Sequence, residues 1–232
     1  MDYRAKHAAH RRMVMSSMRN VIIIGNSSSA RECHWLVGEI VKNGAPLCFK
    51  GFLAFEGFRG NLRSLAHLEI GHDDDYVPEP DDVFVIGIGS PELRQRAFDK
   101  WKQRNASFIN LVHPFTTIPP ETRMGEANII SCACFFSCDT VIGNTNYFNG
   151  EITLGHDVVV GDANFFAPGF IALGNISIGS GNSFGVRSVV LANAKIGDNN
   201  SIAPGAFIYK GCKSNCRMAG NPALNIGTVE PT

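Results

Sequence analysis

Apolar residues recur at every sixth position through the second half of the chain. Stepping from Ile130 gives Phe136, Ile142, Phe148, Leu154, Val160, Phe166, Ala172, Ile178, Phe184, Val190, Ile196, Ile202 and Ile208 without a miss. The chain is 44% apolar, so a prechosen frame would do this by chance roughly once in 10⁵. Glycine follows six of these positions, among them Gly143, Gly155 and Gly161, and the residue two before each is mostly small or apolar, as at Cys134, Thr140 and Ala194. Short strand-forming hexads suit a solenoid with a triangular coil. Three hexads, 18 residues, make one coil, which pairs with the coils above and below at about 4.8 Å. The phase holds from 130 to 208, so no long insertion interrupts the stack.

Residues 21–111 follow a different pattern, in which solid apolar runs alternate with amphipathic segments. "NVIIIGN" reads as a buried strand, Ala30–Lys42 as a helix and "PLCFKGFLAF" as a second strand. "DDVFVIGIGS" is a third strand, "PELRQRAFDKWKQRN" a helix opened by proline, and "SFINLV" a fourth strand. This alternation predicts a small Rossmann-like parallel α/β domain. Ligands on such sheets bind beyond the carboxyl ends of the strands, which here are Gly25–Ser29 and Gly87–Ser90. The first loop can cradle a phosphate at a helix N-terminus, or it is simply a serine-rich cap. It is not the GxGxxG pattern, because serines stand at the later positions.

The expected organisation is a basic, disordered tail at 1–18, the α/β domain at 19–112, a linker at 113–126, the β-solenoid at 127–224 and a C-terminal tail at 225–232. Residues 1–20 hold five Arg or Lys and one acid, against sixteen basic and twenty acidic residues elsewhere. A slightly acidic body gives no general case for nucleic-acid binding. With no apolar run of signal-peptide or membrane-spanning length, the chain reads as cytoplasmic, with no membrane partner. Seven cysteines without a CxxC pair suggest no disulfide framework. Cys132, Cys134 and Cys138 invite a metal reading, but the hexad phase puts Cys132 and Cys138 on different faces, so no metal is expected.

The repeat, with "GHDVVVGD" inside it and "GNPA" near its end, resembles the bacterial hexapeptide-repeat acyltransferases. With "FVIGIGSPELRQR" and "INLVHP" in the front half, the chain looks like sugar acyltransferases of the sialic acid O-acetyltransferase type. Within that group it most resembles nucleotide-sugar N-acetyltransferases acting on 4-amino-4,6-dideoxy sugars. The resemblance implies a left-handed parallel β-helix, whereas parallel crossovers are in general right-handed. It further implies a homotrimer with active sites between subunits, acetyl-CoA in a groove between two helices, and a nucleotide sugar on the front domain. Surface polysaccharide or glycan assembly is the setting such enzymes serve.

The family's catalytic histidine and its acidic neighbour fall on His156 and Asp157, and its thioester-binding glycine on Gly174. His156 is the single histidine after His113. An amine attacking a thioester must lose a proton, and imidazole titrates near working pH. Asp157 can orient or strengthen that base. Gly174 lies 18 residues on, one coil away, where its N–H can hold an oxyanion. The plain alternative is an exposed corner histidine. A metal role needs several histidines, and the repeat has one.

The resemblance also maps the CoA groove to Phe165, Gly174, Val186, Pro204 and Gly205, and the sugar site to Ser27, Ser28, Ser29, Gly89 and Asn149. Phe165 replaces a common histidine, and Leu224 follows "GNPA" where a basic residue is frequent, leaving Lys210, Lys213 or Arg217 to meet the CoA phosphates. Ala54 and Phe55 stand where relatives carry acids near the nucleotide. The expected function is acetyl-CoA-dependent N-acetylation of a nucleotide-linked amino sugar. Sugar O-acetylation and a degenerate trimeric scaffold are the alternatives.

Overall fold

The computed structural model describes residues 18–56 and 60–230. Apart from Met18, the basic tail lies outside the described residues. Four parallel strands form the front sheet in the order β3-β2-β1-β4: β1 Arg19–Ile24, β2 Leu47–Ala54, β3 Glu69–His72 and β4 Asp82–Ile86. Val21–Ile24 are buried on both faces, as a solid apolar run requires of a central parallel strand, and Val83–Ile86 of the terminal β4 are equally buried, with Phe108 bridging its outer side. Helix α1 (Ser28–Lys42) buries Ala30, Cys33, Leu36 and Val37. Helix α2 (Pro91–Gln103) starts at a proline preceded by Ser90, whose Oγ accepts from the Leu93 N–H, a standard N-terminal cap.

Two expectations change here. β3 was not foreseen, because "EIGH" is a short and largely exposed edge. The predicted strand at 107–112 divides: Phe108 bridges β4 at Phe84, whereas Leu111–Val112 pairs with Ile129–Ile130.

The second half is a parallel β-helix with three ladders. Face 1 stacks the strands at 111–112, 129–130, 147–148, 165–166, 183–184 and 201–202, and face 2 those from 135–136 to 207–208. Face 3 stacks those from 123–124 to 211–212. All fourteen hexad positions from Ile130 to Ile208 are buried in one core. Phe148, Phe166 and Phe184 stack in it, with ring centroids 4.7 and 5.0 Å apart and planes within 7° of parallel. Between strands the chain turns through a left-handed residue: every sixth position from Ala127 to Gly211 has positive φ. Several are not glycine, including Thr145, Glu151 and Arg187, and each such residue costs about 1–2 kcal/mol against a right-handed one.

Residues 113–126, expected to be a linker, instead form the first coil. Thr117 bridges Phe135, and Arg123–Met124 pairs with Val141–Ile142. At the other end, Ala223–Thr228 folds back antiparallel on Cys216–Gly220, so part of the expected C-terminal tail closes the stack.

The corner between faces 3 and 1 carries a buried column of asparagines. The backbone N–H groups of Asn146, Asn164, Asn182 and Asn200 each donate to the side-chain oxygen of the asparagine one coil below, at 2.8–2.9 Å. Asn110 starts this run, accepting from the Asn128 N–H at 2.8 Å, and Cys216 ends it. The front domain docks against the lower part of this corner and of face 1. Ile129 and Tyr147 of face 1 share a core with α1, and the Tyr147 hydroxyl donates to Glu32 at 2.6 Å. Burial pushes the Tyr147 phenol upward, so it stays protonated.

Asn164→Ala would leave the main-chain and side-chain donors of Asn182 without their acceptor. The expected loss is about 1–3 kcal/mol, seen as a lower denaturant midpoint at unchanged slope. The exposed Lys195→Ala control should stay within about 0.5 kcal/mol.

Candidate active site

His156 and Asp157 occupy the corner between faces 2 and 3, just after the inward-pointing Leu154. Asp157 is the left-handed residue of that turn, with φ 56°, a conformation that Asp and Asn tolerate better than most residues. The turn presents both side chains to solvent, at 60% and 59% exposure. The His156 Nδ1 lies 2.7 Å from the Asp157 carboxylate. A carboxylate only accepts, so Nδ1 is the donor of this pair, and in the neutral imidazole that tautomer leaves the Nε2 lone pair free.

Gly174 lies one coil away, with its carbonyl engaged by the Asn193 N–H at 3.2 Å. The Gly174 N–H has no acceptor among the described residues. A methyl group built on Gly174 would stand 2.4 Å from the His156 Nε2. Only glycine therefore lets the imidazole lie against this peptide. The three residues expected to act together are neighbours: His156 pairs with Asp157, and its ring lies against Gly174.

The other expected residues lie elsewhere on the same chain. Asn149, Val186, Pro204 and Gly205 follow face 1 strands, on the corner between faces 1 and 2. Val186 is 46% exposed, and Gly205 has φ 65° with open space around it. Phe165 projects from face 1 and packs edge-on against Tyr147, with centroids 5.4 Å apart. Face 2 separates this row from His156, and its outward residues are Phe135, Thr153, Ile171, Val189 and Phe207. The alternative CoA-phosphate ligands all belong to the last coil. Lys210, Lys213 and Arg217 fall at successive turns or strands of the last coil, and Arg217 donates to the Thr228 carbonyl at 3.0 Å.

At the carboxyl ends of β1 and β4, a small cleft of about 90 Å³ is lined by Gly25, Asn26, Ser27, Phe55, Ile88, Gly89, Ser90 and Leu93. Ser27 stands at the N-cap of α1, yet its side chain makes no capping bond, which leaves the first helical N–H groups open to a ligand. Ser29 adjoins Gly89, whereas Ser28 is exposed and does not line the cleft. Phe55 forms part of the wall with its side chain 2% exposed. Sequence reasoning missed Asn26, which is buried and donates to Glu69 at 3.0 Å; Glu69 belongs to the unforeseen β3.

His72, Asp73 and Asp74 are grouped closely enough to suggest a metal site. The Lys100 ammonium already lies 2.6 Å from both carboxylates, supplying the positive charge that an ion would bring. Cys132 and Cys138 sit on different corners, as expected, and the cysteines are free.

No family model and no curated protein sequence matches the chain. Solved structures do. PerB from Caulobacter crescentus, crystallised with CoA and GDP-perosamine, is 21% identical at a TM-score of 0.79, over 90% of this chain and 97% of that one. The acetyltransferase domain of PglB from Neisseria gonorrhoeae FA1090, in complex with acetyl coenzyme A, is 18% identical at 0.79, over 90% and 99%. WeeI from Acinetobacter baumannii AYE is 20% identical at 0.78, over 90% and 100%. At these identities the likeness establishes a common fold across both halves of the chain.

Gly174→Ala tests the histidine geometry directly. Gly174 has no positive φ, so the coil should survive with an unchanged unfolding midpoint. The added methyl should push the imidazole off Asp157, and the two ring ¹⁵N shifts of His156 should move toward those of an unpaired side chain.

Proposed function

We propose that this chain is an acetyl-CoA-dependent N-acetyltransferase acting on the amino group of a nucleotide-linked deoxy amino sugar, in the cytoplasm and for surface glycan assembly. The observation that carries this reading is the His156–Asp157 pair set against Gly174. The Nδ1–Asp157 bond at 2.7 Å keeps Nε2 as the proton acceptor. As the sugar amine attacks the thioester carbonyl, its proton passes to Nε2 and a C–N bond forms. The Gly174 N–H donates to the carbonyl oxygen as it gains charge. Collapse of the tetrahedral species breaks the C–S bond, and the CoA thiolate leaves and takes up the proton held on Nε2, which regenerates the base. The CoA and GDP-perosamine bound by PerB support the substrate pair. No metal enters this chemistry.

The split between corners supports an oligomeric site. His156, Asp157 and Gly174 stand on one edge of face 2, while Asn149, Val186, Pro204 and Gly205 stand on the other. An apolar face joins the two edges. In a homotrimer of left-handed β-helices, that face packs against a neighbour, and the edge carrying His156 meets the neighbour's Asn149 edge. Acetyl-CoA then lies along the seam, past Phe165, and the nucleotide sugar is held at Ser27, Ser29 and Gly89, with Ser28 at the rim.

His156→Ala should lower kcat by about 10²–10⁴-fold, the usual scale of general-base catalysis, while leaving the oligomer intact. CoA-thiol release across a panel of amino nucleotide sugars measures this, and undiminished turnover by the variant would remove His156 from the chemistry. Turnover only with hydroxyl acceptors would indicate O-acetylation instead, and no turnover with any acceptor would indicate a scaffold.

Light scattering should give a mass three times the 25.2 kDa of one chain. A stable monomer at micromolar concentration would defeat the shared site.

A further inference from the structure

Arg94 takes no part in the chemistry above, yet it is 0% exposed and has no ion-pair partner among the described residues. Burying a guanidinium is costly unless every donor is satisfied. Here every donor is. Nε donates to the Thr145 carbonyl at 2.9 Å. Nη1 donates to the carbonyls of Ile86 and Ile88 at 2.6 and 2.9 Å, and Nη2 to those of Ala127 and Asn146 at 3.3 and 3.4 Å. Desolvation pulls its pKa down to about 10, so it remains charged at neutral pH.

The five acceptors come from two places. Ile86 and Ile88 belong to the segment running from β4 into the cleft, whereas Ala127, Thr145 and Asn146 belong to the asparagine corner of the β-helix. In a trans peptide the N–H points opposite to the carbonyl that shares its plane. Fixing the Ile86 carbonyl on Arg94 turns the Gly87 N–H the other way, and it donates to Ile24 at 2.8 Å. Fixing the Ile88 carbonyl likewise turns the Gly89 N–H away from the guanidinium. Gly89 lines the cleft, and its N–H has no acceptor among the described residues.

We propose that Arg94 is a positioning residue for the nucleotide site, aiming the Gly89 N–H at a diphosphate oxygen and fixing that donor relative to the β-helix. The inference rests on the nucleotide-sugar reading of the front domain. Lysine offers three donors from a single nitrogen and cannot hold five carbonyls in a plane. Arg94→Lys therefore keeps the charge and frees the loop.

Calorimetric titration with GDP, UDP and dTDP, alongside acetyl-CoA, tests the proposal on the full-length protein. The expected result is diphosphate binding about tenfold weaker in Arg94→Lys, the scale of one lost hydrogen bond to a charged group, with acetyl-CoA binding unchanged. Equal diphosphate binding by both proteins would overturn the role of Arg94. If the unaltered protein binds none of the three diphosphates, the nucleotide reading itself falls and the proposal falls with it. Should Arg94→Lys not fold, hydrogen exchange of the 87–90 segment in the unaltered protein decides: slowing on addition of the bound diphosphate supports the proposal, and unchanged exchange overturns it.

Discussion

The buried asparagine column is the interaction on which both halves of the molecule depend. A chain that turns every sixth residue leaves peptide N–H groups at its corners with no strand to pair with, and each would be costly if buried unsatisfied. At the corner between faces 3 and 1, asparagine side chains stand in for the missing strand, one per coil. The carbonyls of Ala127, Thr145 and Asn146 lie at this same corner. Arg94 gathers those carbonyls together with two from the front sheet. The cleft on the front domain is thus tied to the solenoid through one buried side chain, beside the apolar core that Ile129 and Tyr147 share with α1.

The solenoid was legible because burial acts on a strict period. Every hexad position faces the same interior, and no insertion blurs the phase. The same phase continues backward through Met124, Ile118 and Val112, which pack against the core, but His113-Pro114 and Pro119-Pro120 look like loop and hid the first coil. The left-handed residues were not legible. Thr145, Glu151 and Arg187 adopt positive φ because neighbouring coils impose it, against their own preference. β3 escaped for the opposite reason: it buries almost nothing, so no apolar pattern marks it.

For the site, spacing was informative only in multiples of a full coil. His156 and Gly174 differ by 18 and therefore share a corner, and their contact could be foreseen from counting. Phe165 and Val186 do not share that phase, and the fold puts them on another face and another corner. In the front half the turn glycines located the cleft, but Asn26 and Arg94 could not be read. Their importance comes mostly from partners far along the chain, up to 52 residues away.

The antiparallel return of Ala223–Thr228 onto Cys216–Gly220 has a consequence for solubility. A stack of parallel coils offers at its open end an edge that matches its own beginning, and such an edge invites polymerisation end to end. Reversing the direction of the last strand on face 1 removes that match, because an incoming coil would meet hydrogen-bonding groups spaced for the opposite polarity. The hairpin is therefore a chain terminator in the polymer sense: it lets a self-templating architecture stop at a finite length.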